Sequence, residues 1–225
     1  MLNNEMLRII ESFKRTGWIP EPEAKRLFAM ACLDVPKYIW AHEPDEFIRF
    51  AGRCGYPVVA KVVSPRVVHK SDVGGVIVGI DSDEGLVSAF QTLKMLDGFD
   101  GMLVEEMVRG RELIVGAKID YQFGPVILLG IGGTGVEIYQ DVTMRMAPIN
   151  RNDVISMIDS LKGRNILRGY RGSEPVNIEA LTDLLIRFSE LVIDLESHIQ
   201  SIDLNPVLCS GDRCIIADAR IILNE

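Results

Sequence analysis

The sequence predicts an α+β protein made of two lobes. Helical patterns of apolar residues alternate with β-branched runs in the order αβααββα in the first part of the chain, and strands dominate the rest. With 225 residues, of which 48% are hydrophobic, the chain can bury the core of one large domain or of two small lobes. We place the boundary near Glu105 to Gly110, which predicts an N-terminal lobe of residues 1–107 and a C-terminal lobe of residues 108–225.

Apolar periodicity and cap residues define the elements of each lobe, and Pro44 fits the first turn of a helix, where its missing N–H costs nothing. In the first lobe we predict helices at 2–14 and 21–32, an extended piece at 35–40, a helix at 43–54, strands at 58–63 and 76–80, a helix capped by Asp81 or Ser82, and a strand at 102–107. In the second lobe we predict strands at 112–119, 125–131 and 136–139, an apolar segment at 142–149, a helix from Asn150 or Asn152 to Leu161, a helix at 178–195, and a hairpin of strands 201–208 and 214–222.

Charge and composition exclude several classes of protein. A net charge of -8 and a pI near 5.0 argue against binding to nucleic acid or to an anionic membrane, because both would repel the molecule. No apolar stretch is long enough for a membrane helix, and the N-terminal residues lack the order typical of a secretion signal. We therefore expect a cytoplasmic protein.

Lys61 lies inside the predicted strand 58–63, whose apolar residues indicate burial on both faces. A lysine is almost never fully buried without an anionic partner, because removing an ammonium group from water is costly. We therefore expect a negative group to contact Lys61.

The loop after this strand carries His69 and Lys70, and the glycine pair 74–75 follows it. Such a pair allows a tight turn or a close approach of the backbone to a ligand. A solvated loop histidine is the default interpretation of His69. The alternative is a loop that handles phosphate, since an imidazole is a competent nucleophile toward phosphorus near neutral pH.

The predicted C-terminal hairpin brings oxygen ligands together. Asp203 and Asn205 are two residues apart on a strand, so their side chains point to the same face. The turn at 210–213 could place Asp218 of the returning strand beside Asn205. Carboxylate and amide oxygens suit Mg²⁺, which also takes nucleotide phosphates as ligands. We favour a magnesium site here over a simple strand end with a turn.

A glycine-rich segment and an isolated arginine in the second lobe are two further features of the sequence. The glycine-rich segment 130–135 has neither GxGxxG spacing nor the lysine of a P-loop, so we interpret it as a turn. Arg145 lies in an otherwise apolar segment, where a guanidinium needs a carboxylate or a phosphate.

The four cysteines show no CxxC pair, so a zinc site is not expected. Cys209 and Cys214 flank the turn of the terminal hairpin and could face each other. Because disulfides are rare in the cytosol, the sequence favours reduced core cysteines over a disulfide.

Three stretches closely resemble one protein family. They are GYPVVAKVVSPRVVHKSDVGGV, GIGGTGVEIYQDVTMRMAPI, and the ending SIDLNPVL with IIADARIIL. They are similar to the β subunit of archaeal ADP-forming acetyl-CoA synthetases, and the resemblance extends over nearly the whole chain. It implies an ATP-grasp fold, in which two α/β lobes bind a nucleotide between them. It also implies conversion of acetyl-CoA, ADP and phosphate to acetate, CoA and ATP, with a phosphoryl group passing from an α-subunit histidine to this subunit and then to ADP.

The resemblance assigns roles to individual residues. His69 would be the phosphohistidine, Asn205 and Asp218 would hold Mg²⁺, and Asp203 would be a catalytic residue beside them. The nucleotide-binding residues that it implies are Lys61, Lys70, Glu105, Glu106, Met107, Val108, Glu112 and Arg145. It implies ATP or ADP as the substrate and a CoA-binding α subunit as the partner, in an α₂β₂ assembly.

Two other functions stay open. A carboxylate–amine ligase with the same fold would form an acyl phosphate directly and would need no histidine. A nucleotide-sensing module would bind ATP and regulate a partner without turnover.

Overall fold

The computed structural model describes residues 2–67, 70–133, 141–170 and 174–224. The chain divides into two compact units, one formed by residues 36–108 and the other by residues 1–35 together with 109–225. The predicted lobe boundary lies next to the division at residue 108. The first 35 residues, which the sequence analysis placed in the first lobe, belong instead to the unit that contains the C-terminal part of the chain.

The helices are α1 (Asn4–Phe13), α2 (Glu21–Met30), α3 (Pro44–Cys54), α4 (Asp83–Leu93), α5 (Arg151–Ser160), α6 (Arg164–Leu167) and α7 (Ile178–Leu195). The strands are β1 (Trp18–Ile19), β2 (Tyr38–Ala41), β3 (Val58–Val62), β4 (Val76–Ile80), β5 (Met102–Glu106), β6 (Arg111–Asp120), β7 (Gly124–Ile131), β8 (Val142–Met146), β9 (Ile199–Cys209), β10 (Cys214–Ile216) and β11 (Arg220–Leu223). Among the helices of the described residues, none is long and apolar enough to span a bilayer.

Local capping sets the beginning of several helices. The side chains of Asn3, Ser82, Asn150 and Asn177 accept hydrogen bonds from backbone N–H groups of the first turn, which would otherwise have no partner inside the helix. Pro44 occupies the first turn of α3, as predicted. The predicted caps of α4 and α5 are therefore confirmed, with Ser82 and Asn150 chosen from the alternatives.

The unit of residues 36–108 contains an antiparallel sheet in the order β2-β5-β3-β4. Helices α3 and α4 cover it through Phe47 and Phe90, whose ring centroids lie 5.8 Å apart. Strand β3 lies between β5 and β4, so both of its edges are hydrogen-bonded and most of its residues are buried. Burial on both faces of β3, at Val58 and Ala60 on one face and at Lys61 on the other, explains the continuous apolar run.

The other unit is built on a sheet with the order β1-β11-β9-β6-β7-β8, and β10 also pairs with β9. Helices α1, α2, α5 and α7 supply buried residues to its core. Residues 15–20, for which the sequence predicted no element, contain β1, which pairs Trp18 with Ile222 and Ile19 with Ile221. This pairing and the core contacts of α1 and α2 are the reason that the N-terminal residues belong to this unit.

Cys209 and Cys214 form a disulfide, which corrects the interpretation as reduced cysteines. The two residues are directly opposite each other in the antiparallel pair of β9 and β10, with Cα atoms 4.1 Å apart. The register of the hairpin therefore places the two sulfur atoms together. The earlier interpretation rested on the expected cellular compartment, which carries no information about the distance between the two residues.

Candidate functional site

The predicted partner of Lys61 is a carboxylate on the neighbouring strand. Lys61 Nζ lies 3.1 Å from Glu105 Oε2, and the two side chains are only 7% and 3% exposed. Lys61 on β3 is paired with Leu103 on β5, so Glu105 is two residues along the same face of the sheet. The expectation that a negative group contacts Lys61 is confirmed, and a buried cation with its counterion lies at the centre of this sheet.

The structure divides residues 105–108, which the resemblance assigns to nucleotide binding, into two pairs. Glu105 and Glu106 belong to β5, and the backbone of Glu105 is in register with Tyr38 on one side and Val59 on the other. Met107 and Val108 follow the strand and are half-buried. Backbone groups outside the sheet are the ones that can hydrogen-bond to a ligand, so a nucleotide bound through backbone groups here would contact this second pair.

The loop between β3 and β4 is held close to the sheet by Gly75. The Gly75 N–H donates to the Lys70 carbonyl at 2.6 Å, and the Val62 N–H donates to the Gly75 carbonyl at 2.9 Å. A Cβ atom at position 75 would lie 2.8 Å from both Lys70 O and Val62 Cγ1, so the close approach requires glycine. Lys70 is half-buried at the start of a short 3-10 turn, Ser71–Val73. His69, the predicted phosphohistidine, lies outside the described residues.

The burial pattern of β9 confirms that Asp203 and Asn205 share a face. Both are exposed, whereas Ile202 and Leu204 are buried. The ladder with β6 has an irregularity at this point, because Val115 pairs with Leu204 and Leu113 pairs with Val207. Asn205 therefore lies at a bulge, a feature that often redirects a side chain beside a functional site.

Asp218 lies next to this bulge. The N–H groups of Ala217 and Asp218 both donate to the carbonyl of Pro206, at 3.0 and 3.3 Å. Asp218 Oδ1 also accepts from the Ala219 N–H at 2.8 Å, which orients the carboxylate. The predicted proximity of Asp218 and Asn205 is confirmed at the level of the backbone.

The chemistry of this donor set fits Mg²⁺. Two carboxylates and an amide, of which Asp203 and Asn205 are exposed, leave room for water or phosphate oxygens around a hard cation. In the described part of the chain, no group of three or more His, Cys, Asp or Glu residues is arranged to hold a metal by itself. A cation here would need the amide of Asn205 and oxygens from a ligand.

Glu112 lies at the edge of the glycine-rich segment. It is exposed on β6, and its carbonyl accepts from the Gly132 N–H at 2.8 Å. A Cβ atom at Gly132 would lie 2.8 Å from the Glu112 backbone, so this glycine allows β7 and the following residues to lie against β6. The predicted strand at 136–139 falls outside the described residues.

Arg145 has different contacts from those expected. Its guanidinium donates to the Met144 carbonyl and to the Ser156 hydroxyl, both at 2.8 Å. Arg145 is half-buried on β8, where its register partner is Ile127. The expected partner was a carboxylate or a phosphate. Within the described ranges the acceptors are these neutral oxygens and not a carboxylate, and contact with a phosphate stays a prediction.

Sequence reasoning missed one buried ion pair, Glu21–Lys25 in α2. Lys25 is 0% exposed and Glu21 is 5% exposed. The signal was present, because the two charges are one helical turn apart on the face that also carries Ala24 and Phe28. A charged pair on an apolar face can be found by the same argument that selected Lys61.

Known proteins are similar to this chain over most of its length. Residues 12–223 match the family model of the ATP-grasp domain. The chain is 43% identical over 211 residues to the acetate–CoA ligase [ADP-forming] I subunit beta of Pyrococcus furiosus, with 90% of each chain covered. It is 40% identical over 234 residues to the acetate–CoA ligase [ADP-forming] II subunit beta of the same organism, with 99% of each covered.

Solved structures show the same fold. An acetyl-coenzyme A synthetase 1 of Ca. Korarchaeum cryptofilum, in complex with coenzyme A and Mg-AMPPCP and with its phosphohistidine segment pointing towards the nucleotide binding site, matches with a TM-score of 0.86. That match has 38% identity and covers 97% of this chain and 100% of the other. The fold is thus that of an ATP-grasp protein. Within that class, the chain belongs to the family of the β subunits of ADP-forming acetate–CoA ligases.

Proposed function

We propose that this chain is the nucleotide-binding β subunit of an ADP-forming acyl-CoA synthetase and that it works in the cytoplasm. In this role it receives a phosphoryl group on His69 and transfers it to ADP. The observation that carries the proposal is the donor set of the terminal hairpin, where the backbone of Asp218 is hydrogen-bonded to the residue that follows Asn205. A relative aligned over 99% of this chain and 99% of its own length is named as the β subunit of an ADP-forming acetate–CoA ligase.

The proposed roles follow from the chemistry of each group. Lys61 contacts the phosphates of the nucleotide, where its positive charge offsets the charge on the transferring group. Asn205 and Asp218 hold the cation with Asp203 beside them, and Mg²⁺ would supply charge neutralisation at the phosphate oxygens. The backbone of Met107 and Val108 binds the adenine, and Glu112 approaches the ribose.

The transfer itself exchanges one bond for another. The N–P bond of phosphohistidine 69 breaks as an oxygen of the terminal phosphate of ADP forms the new O–P bond, and the imidazole leaves as a neutral group after it gains a proton. Little covalent chemistry is asked of the protein, so positioning and charge are its main contributions.

The acyl and CoA chemistry is assigned to a partner. We propose a CoA-binding α subunit, in an α₂β₂ assembly, that converts acyl-CoA and phosphate to the free acid, CoA and a phosphohistidine of its own. That phosphohistidine then delivers its phosphoryl group to His69. Acetyl-CoA is the proposed acyl donor, as the names of the relatives indicate.

The test is phosphoryl labelling of the reconstituted enzyme. With the α subunit, acetyl-CoA and labelled phosphate, the label should appear on His69, and His69→Ala should lose both the label and ATP synthesis. His42→Ala and His198→Ala are matched controls that should keep both, because they remove the other histidines of the chain.

Three results would contradict the proposal. Full ATP synthesis by His69→Ala would exclude a relay through this residue. An amide product formed without CoA would indicate a carboxylate–amine ligase. Binding of ATP with no phosphoenzyme in the presence of the α subunit would indicate a nucleotide-sensing module.

A further inference from the structure

A fully buried lysine of α2 contacts the segment that carries Asp218. Lys25 is 0% exposed, and its Nζ lies 2.9 Å from Glu21 Oε1. The same ammonium group donates to the carbonyl of Ala217 at 2.7 Å, across 192 residues of sequence. All these residues belong to the unit formed by residues 1–35 and 109–225.

This contact is one of several that fix the backbone on both sides of Ala217. The Ile216 N–H donates to the Asp34 carbonyl at 2.9 Å, so the chain that follows α2 also holds this segment. The N–H groups of Ala217 and Asp218 then donate to the Pro206 carbonyl. Because Pro206 directly follows the amide ligand of the proposed metal site, these bonds determine the spacing of the two ligands.

Stability alone does not explain a charged group at this position. Removing a lysine and a glutamate from water is costly, and apolar side chains of similar volume often give equal or greater stability. An apolar side chain cannot, however, donate a hydrogen bond to the Ala217 carbonyl. Lys25 thus provides a contact to the ligand-bearing segment that a hydrophobic core residue would not provide.

We propose that Lys25, with its charge balanced by Glu21, is a positioning residue that holds Asp218 beside Asn205 in the arrangement that binds the metal–nucleotide complex. The inference rests on the proposed function, since it assumes that these two residues bind the metal. Contacts behind metal ligands orient those ligands, and their loss commonly weakens metal affinity about 10-fold to 100-fold.

The test separates metal-dependent from metal-independent nucleotide binding. ADP affinity is measured by calorimetry in excess Mg²⁺ and in EDTA, and Mn²⁺ binding to the ADP complex is followed by electron paramagnetic resonance. The main variant is Glu21→Gln/Lys25→Met, which removes both charges of the pair, and Lys25→Met accompanies it. We expect the affinity gained with Mg²⁺ to fall about 10-fold in the double variant, with the affinity in EDTA unchanged.

A control variant separates positioning from general destabilisation. Leu185→Ala opens a cavity in the core of the same unit, at a residue that is 0% exposed on α7. It should lower the unfolding temperature and leave the ratio of the two ADP affinities at the wild-type value. Amide hydrogen exchange of Asp218 gives a second measurement, and it should be faster in the double variant than in Leu185→Ala.

The outcomes distinguish this inference from the function on which it rests. If the wild-type protein gains no ADP affinity with Mg²⁺, the proposed metal site is wrong and the inference is overturned with it. If the wild type gains affinity and the double variant gains as much, the inference alone is overturned. The inference is also overturned if the double variant loses ADP affinity equally in Mg²⁺ and in EDTA, or if hydrogen exchange of its Asp218 amide is unchanged.

Discussion

The buried pair of Lys61 and Glu105 allows its structural and functional roles to be separated. With 3.1 Å between charges and an effective dielectric constant of about 20, the attraction is about 5 kcal/mol. Replacement of one residue of a buried ion pair typically costs about 3–5 kcal/mol. We expect Glu105→Leu to lower the free energy of unfolding by that amount and Lys61→Met/Glu105→Leu to regain most of it.

Nucleotide binding should follow a different pattern. If Lys61 contacts phosphate, its loss removes a charged hydrogen bond worth about 1.5–3 kcal/mol, or roughly 10- to 100-fold in affinity. The double variant should therefore be nearly as stable as the wild type and bind ADP as poorly as Lys61→Met.

Urea unfolding measures the stability, and the two tryptophans allow each unit to be followed separately. Trp40 lies in the unit of residues 36–108, which contains the Lys61–Glu105 pair, and Trp18 lies in the other unit. In a Trp18→Phe background the tryptophan fluorescence therefore reports on the unit of residues 36–108 alone. Calorimetry with ADP measures the affinity.

The exposed pair Arg66–Asp97 is a matched control in the same unit. Its atoms are 3.0 Å apart, but the side chains are 68% and 73% exposed. Asp97→Asn should cost no more than about 1 kcal/mol, because exposed pairs are screened by water. The reasoning is refuted if the Lys61/Glu105 double variant is as unstable as Glu105→Leu, or if it binds ADP like the wild type.

Two further predictions concern pH and redox state. The Tyr56 hydroxyl donates to Asp83 Oδ1 at 2.6 Å. The pKa of Tyr56 is raised above its usual value of 10, mainly by burial and secondly by this hydrogen bond. Because the folded state favours the neutral phenol, this stabilisation is present below pH 10 and is lost as the pH rises toward the folded-state pKa. Urea unfolding at increasing pH should show a decline in the free energy of unfolding that is absent in Tyr56→Phe. An identical decline in that variant would contradict the assignment. Reduction of the Cys209–Cys214 disulfide, which joins residues five positions apart, should lower the free energy of unfolding by about 2 kcal/mol. Cys54→Ser is the control, because it removes a free cysteine and should leave the effect of the reductant unchanged. Equal stability of the oxidised and reduced protein would contradict this prediction.

Sequence alone determined the local elements and part of the candidate site. Helix α7 was predicted with its observed limits, because its apolar spacing and the features at its ends lie within the segment itself. The common face of Asp203 and Asn205 followed from the two-residue period of a strand. The need of Lys61 for a negative partner followed from the free energy of desolvation, which depends on residue type and burial.

Tertiary structure alone decided which elements meet. It identified Glu105 as the partner of Lys61, paired β1 with β11 at the other end of the chain, and brought Lys25 to Ala217. Periodicity shows which face of an element is buried, but it carries no information about which element covers that face. Long-range pairing is selected by the burial and hydrogen bonding of the whole chain, so these contacts could be found only in the folded structure.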